Sequence, residues 1–203
     1  MLTVKSCYQP ANHYHNFRHA IDVLQATFQI LVLSQVIPPL PHPSARPITP
    51  PLPLLPTNYL TPIEILSVCI AAVGHDAAHP GVTNAFLAAS GSSLATIFNE
   101  RSVLENLHCL TIGRIIDERW PAVYADEEGR FRKVVLECIL ATDMALHFEF
   151  MARFEALRKS IATDPIDDKQ RRVICCCIMK ASDISNLVPP PISNTIVFVY
   201  LHC

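Results

Sequence analysis

Ten of the chain's 17 prolines fall between Pro38 and Pro62, most of them in the run IPPLPHPSARPITPPLPLLP. Proline carries no amide hydrogen and fixes φ, so this stretch cannot join a helix or a sheet ladder. Residues 37–61 therefore read as an extended, exposed loop inserted between helical segments, with docking of an SH3-like or WW-like partner as the functional alternative to a plain spacer. Glycine is scarce, at 5 in 203 residues. That balance argues against a barrel or sandwich built on glycine turns.

On either side of the loop the apolar residues repeat at helical spacing. Phe17, Ile21, Leu24, Phe28 and Leu31 form one stripe, which predicts a helix from about Asn16 to Ser34. Thr61, Pro62 and Glu64 make a capping box with proline in the first turn, opening a helix that runs to Gly74. Its residues Ile63 to Val73 are apolar nearly all round, which predicts a central, buried helix. Pro80, Gly81 and Gly91 break the segment from His75 to Ser93, leaving a short helix around Ala85. Further helices are expected over Ser102 to Asp117, Gly129 to Thr142 and Met144 to Ser160. The Gly129 to Thr142 helix turns Phe131, Val134, Val135, Cys138 and Ile139 to one face. A last helix starts at Asp164-Pro165 and carries Val173, Ile174, Cys177, Ile178 and Ala181 inward. No alternating strand pattern occurs before residue 192, so the expected fold class is all-α.

Half of the residues are hydrophobic and 17% are charged, which excludes a charge-extended disordered chain. A net charge of -2 gives no electrostatic footprint for nucleic acid. The longest apolar stretches, Ile65 to Val73 and Ile196 to Leu201, fall short of the roughly 20 residues a membrane span needs. The opening MLTVKSCYQP is read as carrying no secretory signal. Of the 8 cysteines, Cys175, Cys176 and Cys177 are adjacent, and Cys69, Cys109 and Cys138 sit in apolar helical patterns. They read as buried free thiols rather than a disulfide framework or a zinc knuckle, which points to a reducing, cytoplasmic location.

Histidines and carboxylates gather at helix ends. His15 and His19 are four apart at the start of the first helix, so both can point to one side. His75, Asp76 and His79 follow the most apolar helix, and Asp183 follows the last one. A buried His-Asp pair is costly without a partner. It reads either as a local hydrogen bond or as part of a divalent metal site assembled from three helices. Glu105 and His108 are three apart on another helix, where His108 fits either a helix surface or the site. His13 reads as solvated, His147 and Met144 as packing residues, and His42 and His202 as functionally silent.

Five segments in order carry a resemblance: YHNFRHA (Tyr14 to Ala20), HDAAHPGVTNAF (His75 to Phe86), SVLENLH (Ser102 to His108), ATDMALHFEF (Ala141 to Phe150) and KASDISN (Lys180 to Asn186). They resemble the signature blocks of class I 3′,5′-cyclic nucleotide phosphodiesterases, within the HD-type metal phosphohydrolases. The resemblance implies a multi-helix catalytic bundle that hydrolyses cAMP or cGMP to the 5′-monophosphate with a metal-activated hydroxide. It implies that His19, His75, Asp76 and Asp183 hold a tightly bound zinc, with Asp76 shared with a second ion, magnesium or manganese. It implies that His15 protonates the leaving 3′ oxygen and that His79 contacts the phosphate. Met144 would border the substrate, and Glu105, Thr142 and Asp143 would support the site from behind.

Three departures accompany the resemblance. Ala78 stands where many members have an acidic residue. The proline-rich loop is longer than in most members. Past Asn186 the tail LVPPPISNTIVFVYLHC does not resemble the family's continuation, where further helices bring a glutamine that reads the purine edge and a phenylalanine that stacks on it. The expected organisation is thus an incomplete catalytic bundle over residues 1–186, truncated at both ends, and an unrelated tail over 187–203. The alternative is a non-catalytic remnant that binds metal or a partner without turnover. A related phosphohydrolase of acyclic nucleotides is a third reading.

Overall fold

Glu64 does two jobs at the base of the bundle. Its carboxylate accepts the Thr61 N–H at 2.7 Å and the Thr61 hydroxyl accepts the Glu64 N–H at 3.4 Å, which closes the capping box that starts its helix. The same carboxylate accepts from Arg171 Nε at 3.1 Å, on the last helix, while remaining 1% exposed. Glu64→Ala removes a cap and leaves Arg171 with Asp168 as its acidic partner. Breaking a buried ion pair costs a few kcal/mol, so urea denaturation should show a loss of about 3 kcal/mol.

The computed structural model describes residues 2–38, 59–124, 129–161 and 166–185. Among these the chain runs α1 (Leu2–Lys5), α2 (Phe17–Leu33), α3 (Pro62–Gly74), α4 (Asn84–Ala89), α5 (Ser93–Ile97), α6 (Val103–Arg119) and α7 (Pro121–Tyr124). It continues with α8 (Arg130–Leu140), a 3-10 turn (Met144–Leu146), α9 (His147–Ile161) and α10 (Asp168–Ser185). No strand occurs among the described residues, and the fold is all-α. The proline-rich loop lies almost wholly outside the described residues, as does the tail.

α3 is central as expected, packed on α2, α8 and α10, and the other enclosed helix is α10. It packs against α2, α3, α8 and α9, and its side chains from Val173 through Ser182 are all buried. α3 is more apolar on average, yet its Leu66 is 40% exposed. Small side chains let neighbouring helices approach both: Cys175, Cys176, Cys177, Ala181 and Ser182 on α10, and Ser67, Ala71, Ala72 and Gly74, all buried, on α3. The α8 face is as expected, with Phe131, Val134, Val135, Cys138 and Ile139 all buried. α10 begins at Asp168, because Asp167 and Gln170 exchange side chain to backbone hydrogen bonds of 2.7 and 2.8 Å across its first turn. The Asp164-Pro165 start lies outside the described residues.

The α2 stripe is rotated from its expected position. His19, Ala20, Val23, Thr27, Ile30 and Leu31 are buried, while Ile21 and Phe28 are half-buried. The rotation brings His19 inward, and Thr27 is accommodated by donating its hydroxyl to the Val23 carbonyl at 2.9 Å. The described cysteines Cys7, Cys69, Cys109, Cys138, Cys175, Cys176 and Cys177 are free thiols. Burial pushes Cys109 and Cys177 up to about 12, so they stay protonated. No described helix is long and apolar enough to cross a membrane.

Candidate metal centre and cleft

Three helix ends deliver the site. Asn16 caps α2 by accepting the Arg18 and His19 N–H groups at 3.0 and 3.2 Å, which sets His19 in the first turn. His75 closes α3, and its Nδ1–H donates to the Ala72 carbonyl at 3.0 Å. That bond fixes the tautomer and turns the Nε2 lone pair inward. Asp183 lies in the last turn of α10.

The donor atoms converge. His19 Nε2 lies 3.1 Å from Asp183 Oδ1, 3.2 Å from His75 Nε2 and 3.5 Å from Asp76 Oδ2. His75 Nε2 lies 3.2 Å from Asp76 Oδ2 and 3.4 Å from Asp183 Oδ1. Ligands bonded to one ion at about 2.0–2.2 Å stand roughly 3.0–3.5 Å apart, the separation seen in this cluster. Asp76 Oδ2 is buried and receives no hydrogen bond. His19, His75 and Asp76 are all buried and meet the spacing of a metal-holding triad, and Asp183 completes it from a more open position. The electrostatics agree. Burial opposes charge on His75, but Asp76 and Asp183 outweigh it and raise its pKa, so the carboxylates call for positive charge at this point. Burial likewise opposes ionisation of Asp76, yet His75 and His108 bring it down to about 2, and Asp183 is held well below the usual carboxylate range by His19 and His75. These residues fit a divalent cation in chemistry and spacing.

A cleft of about 650 Å³ opens over the cluster, lined among others by His15, Asp76, His79, Glu105, Thr142, Asp143, Met144 and Asp183. Of the expected site residues, only His19 and His75 lie behind this wall, as its buried backing. His15 is not on the helix with His19. α2 starts at Phe17, so His15 precedes the cap, and its ring stacks on His79 at 4.0 Å and 9° instead. His79 Nδ1 accepts the Gly81 N–H at 3.0 Å, leaving its Nε2 as the donor. Burial, with His15 adding to it, lowers the His79 pKa to about 4, so this donor is neutral at pH 7.

The supporting residues divide. Glu105 receives the Asn84 amide at 3.0 Å and is raised by burial, against that hydrogen bond. Asp143 accepts from the Ser102 hydroxyl at 2.7 Å and the Ala145 N–H at 2.8 Å, while Thr142 donates to the Ile139 carbonyl at 2.7 Å. Met144 is not a core residue: it is 60% exposed on the cleft wall. His108 belongs to the site rather than to a helix surface. It is 2% exposed, donates Nδ1–H to the Ala77 carbonyl at 2.7 Å and places Nε2 3.9 Å from Asp76 Oδ1. Its i, i+3 spacing from Glu105 and its place at the end of the SVLENLH block were the signals for it in the sequence.

Ala78 takes φ +66 in the turn between Asp76 and His79. The left-handed region costs a residue with a Cβ roughly 1 kcal/mol, and aspartate tolerates it better than alanine. Ala78→Gly should therefore raise stability by no more than about 0.5 kcal/mol, after allowing for glycine's larger unfolded-state entropy, as read from the urea midpoint.

An all-α bundle whose helix ends converge two histidines and two aspartates on one point is a metal-dependent hydrolase framework of the histidine-aspartate kind. The chain belongs to the 3′,5′-cyclic nucleotide phosphodiesterase family, whose model matches residues 14–199. It is 35% identical over 187 residues to 3′,5′-cyclic-nucleotide phosphodiesterase 2 of Saccharomyces cerevisiae, covering 92% of this chain and 29% of that protein. It is 29% identical over 194 residues to 3′,5′-cyclic-nucleotide phosphodiesterase regA of Dictyostelium discoideum, covering 94% and 22%. The chain thus spans less than a third of the length of these two curated relatives. Among solved structures it resembles the phosphodiesterase domain of the RhoPDE fusion protein from the choanoflagellate Salpingoeca rosetta, with TM-score 0.73 and 31% identity over 98% of this chain and 58% of that one. It also resembles yeast caPDE2 in complex with IBMX, with TM-score 0.76 and 29% identity over 98% and 41%.

Proposed function

We propose that this chain hydrolyses 3′,5′-cyclic nucleotides, cAMP or cGMP, to 5′-nucleoside monophosphates and so ends a cyclic nucleotide signal in the cytoplasm. The observation that carries the reading is the convergence of His19, His75, Asp76 and Asp183 beneath a cleft walled by the stacked His15 and His79. The unit responsible is assigned to residues 1–186, with 37–61 as an inserted loop; the family match runs on to 199, into the 187–203 stretch read from sequence as a separate tail.

His19, His75, Asp76 and Asp183 would hold zinc, with Asp76 shared with magnesium or manganese. When bound, such ions lower the pKa of water to supply a nucleophile and offset the charge of the phosphate. The protein's own groups do the rest. His15 stands at the cleft wall, where an imidazole can hand a proton to the departing 3′ oxygen. His79, neutral and donating through Nε2, hydrogen-bonds a phosphate oxygen without needing to be charged. Glu105, fixed by Asn84, and Asp143, fixed by Ser102 and Ala145, present carboxylates that order water at the cleft, with Thr142 between the helix end and Asp143. Met144 offers an apolar surface to the nucleoside.

Zinc content after dialysis, measured together with turnover of cAMP and cGMP, tests this reading. Bound metal with hydrolysis of either cyclic nucleotide supports it. Bound zinc without turnover identifies a non-catalytic metal-binding remnant, and hydrolysis of acyclic nucleotides alone identifies a different phosphohydrolase.

A further inference from the structure

We infer that Asn12 is a positioning residue that sets the His15–His79 pair, an inference that rests on the roles assigned above to those two histidines. Asn12 precedes the residues matched by the family model, which begin at 14. Neither histidine lies in a helix. His15 comes before the α2 cap and His79 lies in the turn after α3, so regular structure does not fix their separation. The Asn12 side chain does. Its Nδ2 donates both hydrogens, one to the His15 carbonyl at 3.1 Å and one to the His79 carbonyl at 2.9 Å. The rings of the two residues so joined stack at 4.0 Å and 9°.

The surroundings of Asn12 are built around this amide. The Asn12 main-chain carbonyl accepts from Asn16 Nδ2 at 2.9 Å, which links the residue to the one that caps α2. Gly81, whose N–H holds His79 Nδ1, sits at φ +83, and a Cβ there would come within 2.8 Å of Asn12 Oδ1. Glycine at 81 lets the His79 turn close onto the Asn12 amide. The Asn12 side chain therefore reaches the backbone of both cleft histidines, while its main chain is tied through Asn16 to the start of the helix that carries His19.

The test uses Asn12→Ala and the isosteric Asn12→Asp in the full chain. Asn12→Asp keeps the shape and Oδ1 but loses both donated bonds, so it decides the matter should Asn12→Ala fold poorly. Imidazole NMR without substrate should show that the contacts between the His15 and His79 rings are lost in both variants, while His75 and His108 signals hold their positions. Displacing a reacting group by about 1 Å costs up to about a hundredfold, so kcat should fall by about tenfold or more with KM changed by less than about threefold and zinc content unchanged. Intact ring contacts with unchanged kcat overturn the inference, as does a kcat loss that merely tracks zinc loss or unfolding. A wild-type chain that hydrolyses no cyclic nucleotide overturns the proposed function instead, and the ring contacts then decide the role of Asn12 by themselves.

Discussion

Asp183→Asn is expected to abolish hydrolysis, with a fall of at least about a thousandfold in kcat/KM, and to strip the chain of tightly held zinc. The carboxylate of Asp183 stands 3.1 Å from His19 and 3.4 Å from His75, and both imidazoles hold it in its charged form. Asparagine keeps the shape but offers a neutral oxygen, so the cluster loses one of its two negative charges where the ligand set needs it most. The fold should survive, because Asp183 is partly open to the cleft and the α10 core runs from Val173 to Ser182 around Cys175, Cys176 and Cys177. Zinc stoichiometry by elemental analysis, beside circular dichroism, separates loss of metal from loss of fold. A variant that kept its zinc and its rate would remove Asp183 from the centre.

His15→Gln carries the second largest effect. A positioned general acid contributes roughly a hundredfold to ten-thousandfold, and this variant should lose kcat by such a factor while zinc content stays unchanged, since His15 is not among the converging donors. The loss should shrink for an aryl phosphodiester, whose leaving group departs without a proton. Equal losses on the aryl diester and on the cyclic nucleotide would contradict proton donation by His15. Comparing kcat for the two substrates checks this directly.

The helical class, the α3 capping box and the α8 face were all legible in the sequence, because each rests on local spacing or on a cap whose partners are three residues apart. A three-helix metal site was one of two readings of the His-Asp pair, and the ordered blocks decided for it, since His19, His75 and Asp183 come from helix ends that the chain brings together over long separations. The misses have physical causes. The four-residue spacing of His15 and His19 suggested a shared helical face, but Asn16 takes the cap and puts His15 outside the helix. Apolarity marked α3 as central, which it is, but did not show that α10, with its charged first turn, is buried from Val173 to Ser182. His108, at the end of the SVLENLH block and three residues from Glu105, stayed open between surface and site, because its defining bond runs to the Ala77 carbonyl on another segment. Met144 read as core from its apolar character and as a substrate neighbour from the resemblance; the Asp143 cap turns it out along the cleft.

The central claim is that histidine nitrogen and aspartate oxygen hold the metal, in a chain that also carries seven free cysteines among its described residues. Zinc K-edge X-ray absorption on the purified, dialysed chain tests it most directly. The account predicts only nitrogen and oxygen neighbours at about 2.0–2.2 Å, with the outer-shell scattering of two imidazoles. A sulfur shell at about 2.3 Å would place the zinc on the thiols instead and contradict the account, as would a chain that retains no zinc at all.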